Sequence, residues 1–217
     1  MIKNTLTKII ETHQESIQDE PRDYIGASSI GHECLRKIWY EFKGYKGETL
    51  PTKTRRIFDT GKILELLVVG WLQDSGLNIS RSNKKYHAKN MEYFQGHFDG
   101  IIIINDIESI LEIKTAKDAS FSIFVNKGIM SWNNQYYSQI QAYMGMSNIN
   151  SAYILVLNKD NSCLSDELIS FDKFFYKQLQ DKAKIIYESK IEPPRISGSP
   201  LWWKCKLCKF NNICHEI

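Results

Sequence analysis

The chain has little proline and glycine: five and twelve in 217 residues. That is far from a collagen, and the ordinary remaining composition excludes a disordered tail and a coiled coil. Long apolar runs are missing. The nearest, residues 63–72, is interrupted by Glu65 and falls short of the ~18 residues a membrane span needs, so no membrane partner is expected. Residues 1–20 carry Lys3, Lys8, Glu11 and Glu15 and no apolar core, so a secretory leader is not expected. There are no internal repeats and no low-complexity segments. Cysteine is scarce and odd in number, at five. An odd count without a leader argues against a disulfide framework and for a reduced, cytoplasmic compartment.

What is present is a globular composition: 42% hydrophobic, 24% charged, 12% aromatic. A chain of this length buries roughly 70% of its unfolded surface and folds as one domain without staples. The net charge is only +3, but residues 36–56 hold seven basic side chains against Glu41 and Glu48. Arg36, Lys37, Arg55 and Arg56 are therefore candidates for phosphate contacts. The competing reading is a solvated surface stretch.

Patterning predicts an N-terminal helical third. A weak amphipathic helix covers Thr5 to Ile17, Ser28-Ser29 caps a segment running to Tyr40, and Thr54 to Asp74 forms a long, mostly buried helix. Strands are expected over Phe94 to Ile104 and Ser109 to Thr115, joined by a turn at Asn105-Asp106. A second pair spans Ala152 to Leu157 and Leu164 to Phe171, with helices over Asn133 to Met146 and Asp172 to Lys190. Pro193 to Pro200 then reads as a linker to a cysteine-bearing tail. The expected architecture is mixed α/β, with residues 1–75 as a helical cap, 76–190 as a core and 191–217 as linker and clasp of a single domain.

Two constellations carry chemistry. In the first, Glu65 sits in an apolar helix, where a buried carboxylate needs an arginine or a metal beside it. Asp99 opens an apolar strand before Gly100, and Glu112 and Lys114, two apart in a strand, point to one face. A hairpin would bring Asp99 near Glu112. Gathered carboxylates repel unless a cation sits between them, and hard oxygen ligands suit Mg²⁺ or Mn²⁺. Such a metal polarises a phosphate and acidifies a water, and a lysine can orient that water. Gln139 and Tyr143 share one helix face. His32 and His97 lie near these residues but read as surface or hydrogen-bonded histidines.

In the second, Cys205 and Cys208, spaced to chelate, are followed by Cys214. A tetrahedral site needs a fourth ligand: Cys34, His215 or, less plausibly, Cys163, which reads better as a small buried side chain. Spacing alone does not separate iron–sulfur from zinc. A site including Cys34 would close a loop of 171 residues (205 − 34) between the chain ends.

Asp99 followed by Glu112-Ile113-Lys114 across a turn resembles the active-site signature of the PD-(D/E)XK nuclease superfamily, with Phe98 where the family name has proline. Glu65 upstream and the Gln139–Tyr143 pair downstream resemble the RecB-like branch. Cys34 with the terminal cysteine triplet is similar to CRISPR-associated Cas-four exonucleases, their phage-encoded relatives and the iron-stapled AddB nuclease domain. The resemblance spans residues 25–214 and implies a restriction-endonuclease-like mixed sheet flanked by helices. It implies a metal-dependent DNA exonuclease, with Glu65, Asp99, Glu112 and the Ile113 carbonyl as Mg²⁺ or Mn²⁺ ligands, Lys114 handling the water, and Gln139 and Tyr143 as supports. It also implies a 4Fe–4S cluster on Cys34, Cys205, Cys208 and Cys214. Glu65 in place of the histidine usual in the CRISPR-associated proteins favours a phage or recombination-type relative. DNA is the expected partner, with a helicase, recombinase or CRISPR adaptation protein alongside. The rival readings are a catalytically weak DNA-binding or assembly module and a zinc-stapled protein without a nucleic-acid role.

Overall fold

A computed structural model of the chain describes residues 5–17, 22–80 and 84–216. The N-terminal segment read as lacking a leader lies partly outside these residues. In chain order the elements are α1 (Thr5–Ser16), β1 (Ile25–Gly26), α2 (Ala27–Ile30), α3 (Leu35–Phe42), α4 (Thr52–Asp74), β2 (Asn78–Ser80), β3 (Tyr86–Ala88), β4 (Met91–Gly96), β5 (Gly100–Ile104) and β6 (Ile107–Ala116). There follow α5 (Asp118–Trp132), α6 (Asn134–Ser147), β7 (Ser151–Asn158), β8 (Leu164–Ser170), α7 (Lys173–Glu188), α8 (Trp203–Lys206) and α9 (Asn211–His215).

The central sheet has five strands in the order β2-β5-β6-β7-β8. Only β6 and β7 run parallel, and α5 and α6 form the crossover between them. Alternation along β6 divides the core. Ile110 and Ala116 join Ile140, Met144, Ile154, Val156, Ala183 and Ile186 on the side of α6 and α7. Leu111 and Ile113 join Val68, Val69, Ile79 and Ile102 on the side of α4. The molecule is thus a helix–sheet–helix sandwich, with a small second sheet, β1-β4-β3, beside it. This is the mixed sheet flanked by helices that the sequence predicts.

The turn Asn105-Asp106 is where expected. Both residues have positive φ, 51° and 61°, which these short polar side chains tolerate and a two-residue hairpin requires. Asn133 caps α6 by accepting from the Gln135 and Tyr136 amides, and Asp172 caps α7 by accepting from Phe175.

Four expectations are corrected. Phe94 to Ile104 is not one strand: residues 97–99 interrupt it, and β4 and β5 belong to different sheets. Ser28-Ser29 caps no continuous helix to Tyr40; α2 is one turn, and α3 starts after Cys34 without a side-chain cap. The long helix α4 buries only Val68 and Val69, because a helix lying on one sheet face can bury one stripe. Cys163 is exposed rather than buried, on the loop between β7 and β8.

Helices α6 and α7 approach closely at Gly145. A Cβ there would stand 2.4 Å from the ring of the buried Tyr176. Gly145→Ala should cost about 1–3 kcal/mol through overpacking. The expected reading is a melting temperature lower by several degrees; an unchanged value in a thermal melt would show that α7 shifts without cost.

Candidate functional site

Strand β6 carries the centre of the site into the interior. Gly100 pairs with Leu111 in the antiparallel β5–β6 ladder, so Asp99 and Glu112 come next in the same register. Asp99 Oδ2 accepts the Ile113 amide at 2.8 Å, which pins the carboxylate to the strand. Glu112 is 2% exposed. Lys114 Nζ donates to Glu112 Oε1, while Glu112 Oε2 is buried without a hydrogen-bond partner.

Electrostatics sets the character of this pair. Burial, together with the charges of Asp99 and Glu65, pushes the Glu112 carboxyl up to about 8, against the opposing pull of Lys114. Burial works against the Lys114 ammonium, but Glu112 and Asp99 outweigh it and leave it above its ordinary value. Glu65, half-buried on α4, reaches the same neighbourhood from the far face of the sheet.

Gln139 and Tyr143 project from α6 into the same region. Both are buried, and Gln139 Nε2 donates to the Tyr143 hydroxyl at 2.5 Å. Burial first, and then the Glu112 charge, raise the Tyr143 phenol well above its usual value, so it stays protonated. The small sheet makes room for it: at Gly96 a Cβ would lie 2.6 Å from the Tyr143 ring and 2.7 Å from Ala27 Cβ. Glu65, Asp99, Glu112, Lys114, Gln139 and Tyr143 therefore form one neighbourhood. Tyr136 belongs to it as well, with Lys114 Nζ 4.9 Å from its ring centroid. Sequence reasoning passed over Tyr136, although its spacing to Gln139 (i+3) and Tyr143 (i+7) puts all three on one helix face.

Cys34, Cys205, Cys208 and Cys214 line one cavity at the junction of α3 with α8 and α9. None of the four is in a disulfide. Burial raises the Cys205 and Cys208 thiols, with Cys34 and Cys214 as further contributors. The clasp is also tied down by polar contacts. Lys204 pairs with Glu33, the Glu48 amide donates to the Lys209 carbonyl at 2.7 Å, and Lys209 meets Glu41 at 3.3 Å. His32 accepts the Cys34 amide on Nδ1, and burial and Lys37 draw its imidazole down to about 4, so it is neutral. His97 is exposed. Among the described residues, no three His, Cys, Asp or Glu side chains are arranged as a ready metal-holding group.

The basic candidates are spread out. Arg36, 12% exposed, pairs with Glu192 at 2.9 Å and donates to the Pro193 carbonyl, which braces the clasp linker. Arg55 donates to the Ile17 carbonyl, and Arg56 to Gln14 and Glu11, which ties α4 to α1. Lys37 lines the cysteine cavity.

Asp99, just before β5, thus stands beside Glu112 and Lys114 on the neighbouring strand β6, in a mixed sheet flanked by helices. The chain belongs to the YqaJ-like viral recombinase domain family, whose model matches residues 22–150. That stretch contains Cys34 and every member of the carboxylate–lysine neighbourhood and ends before the terminal cysteines. No curated protein matches the chain. Among solved structures, the alkaline exonuclease LHK-Exo from Laribacter hongkongensis is similar, with a TM-score of 0.59 and 12% identity over 83% of this chain and 90% of that one. SSO0001 aligns with a TM-score of 0.53 and 20% identity over 96% and 93%. A phage related exonuclease from Haemophilus somnus 129PT aligns with a TM-score of 0.51 and 14% identity over 75% and 91%. At these identities the likeness is one of fold. Among the described residues, no helix is long and apolar enough to cross a membrane.

Proposed function

We propose that this protein is a metal-dependent DNA exonuclease acting in phage or bacterial recombination, on single strands or DNA ends, in the cytoplasm. The observation that carries the reading is Glu112: a buried carboxylate with an unpartnered Oε2, loaded by the charges of Asp99 and Glu65 and met on its other oxygen by Lys114. Like charges gathered in the interior are costly without a cation, and an all-oxygen donor set suits Mg²⁺ or Mn²⁺. Glu65, Asp99, Glu112 and the Ile113 carbonyl would hold it. A divalent cation there supplies Lewis acidity toward a phosphate and acidifies a water.

The chain's own groups do the rest. Lys114 moves from Glu112 Oε1 toward the attacking water or the developing phosphorane charge, and Tyr136 confines its ammonium. Tyr143, kept protonated and oriented by Gln139, offers a hydrogen-bond donor beside the carboxylates. Lys37, with Arg36, Arg55 and Arg56 as further candidates, would contact phosphates. Family membership supports recombination, beside a recombinase or helicase, over CRISPR adaptation.

The four thiols line one cavity, and sulfur ligands select a 4Fe–4S cluster or zinc. Either would fasten the chain end to α3. The test of the catalytic reading is cleavage of end-labelled single- and double-stranded DNA. We expect products with Mg²⁺ or Mn²⁺ and none with EDTA; intact substrates under every metal condition would refute it.

A further inference from the structure

Beside the cysteine cavity runs a second, open groove of about 340 Å³, within the size range of small-molecule sites. One wall is the start of α6, with Asn134 and Gln135; the other is the clasp, with Trp203, Lys204 and Leu207. Lys37 also lines it, so two lysines face the single acid Glu33, which Lys204 already pairs. The Trp203 indole is 61% exposed, a large apolar plane in a polar, net-positive groove. Lys204 Nζ lies 5.3 Å from its ring and 5.6 Å from that of Trp202, which steadies the indole against the clasp. Gln135 is fixed from the other side by donating to the Ser28 carbonyl at 2.7 Å. The next residue, Tyr136, touches Lys114.

We infer that this groove carries single-stranded DNA away from the reacting centre, with Trp203 stacking a base and Lys37 and Lys204 facing phosphates. A cationic groove with an exposed aromatic platform is how single strands are held without sequence preference. The start of α6 serves both places: Asn134 and Gln135 line the groove, and Tyr136, next in the chain, meets Lys114. Asn134 presents an amide to the sugar–phosphate backbone from the α6 wall. The inference rests on the nuclease reading for its direction, but strand binding is measurable without turnover.

The experiment is fluorescence anisotropy of a labelled oligothymidylate in buffer without added divalent cation, on the intact metal-loaded protein. Trp203→Ala should weaken the Kd about tenfold, and Trp203→Phe should restore most of it. The exposed side chain is not needed for the core, so the melting temperature of both variants should match wild type. An unchanged Kd for Trp203→Ala overturns the strand path. So does loss of self-association in sedimentation with the Kd unchanged, which would assign Trp203 and Leu207 to a protein interface. Wild-type cleavage with Mn²⁺, run in parallel, isolates failure of the nuclease reading itself.

Discussion

Lys114→Ala should leave a folded protein whose turnover of DNA is lower by on the order of 10²- to 10⁴-fold. The binding of DNA should change little, because Lys114 points inward at Glu112 rather than outward at a strand. Stability should also survive. Removing a cation from beside a buried carboxylate is severe when the carboxylate must stay charged. In the metal-free protein Glu112 need not: burial already pushes it up to about 8, and without Lys114 it rises further. Lys114→Arg should not rescue turnover, because a planar guanidinium does not replace a compact ammonium beside Tyr136. The assay is single-turnover digestion of end-labelled DNA with Mn²⁺, with a thermal melt alongside. Wild-type rates in the alanine variant would remove Lys114 from the chemistry and, with it, the proposed role of the acid–lysine pair.

How much of this was legible beforehand depends on how local each feature is. The β5–β6 hairpin was readable because Asn105-Asp106 marks the turn and β-branched runs flank it. That hairpin alone puts Asp99 opposite Glu112, so the heart of the site followed from spacing. Helix α6 was readable from its caps and from the Gln139–Tyr143 spacing. The break at 97–99 was not, because β4 and β5 are both apolar and periodicity does not reveal that they join different sheets. Burial of α4 was misjudged for a related reason. An apolar sequence permits burial, but the area of sheet beneath the helix decides it, and Phe58, Ile63 and Leu66 remain exposed. Helix α5 escaped detection, and its glycine, Gly128, at φ 70° breaks the helical path partway. Tyr136 presents a different obstacle. Its significance lies in the lysine its ring meets, and Lys114 is 22 residues away in the chain (136 − 114).

If the clasp holds the proposed cluster or zinc, Cys208→Ser should lower the melting temperature by on the order of 10 °C and release that metal. Cys208 shares one cavity with Cys34, Cys205 and Cys214, and that cavity joins the last residues to α3. A serine keeps the volume but loses the soft ligand, so three thiols remain where a closed tetrahedral site needs four. Several kcal/mol of metal-binding energy would then no longer oppose unfolding. The loss should be partial rather than total, because the Glu33–Lys204 and Glu41–Lys209 pairs and the hydrogen bond from Asn212 to Glu48 still hold the clasp. Cys163→Ser is the matched control. Cys163 is exposed, and its replacement should stay within about 0.5 kcal/mol of wild type. Metal analysis and the visible spectrum of anaerobically purified protein separate the two candidates, since an iron–sulfur cluster is brown and zinc is colourless. A Cys208→Ser protein with unchanged melting temperature and metal content would remove the cluster from the account. The clasp would then be held by its ion pairs and by packing around Phe210 alone.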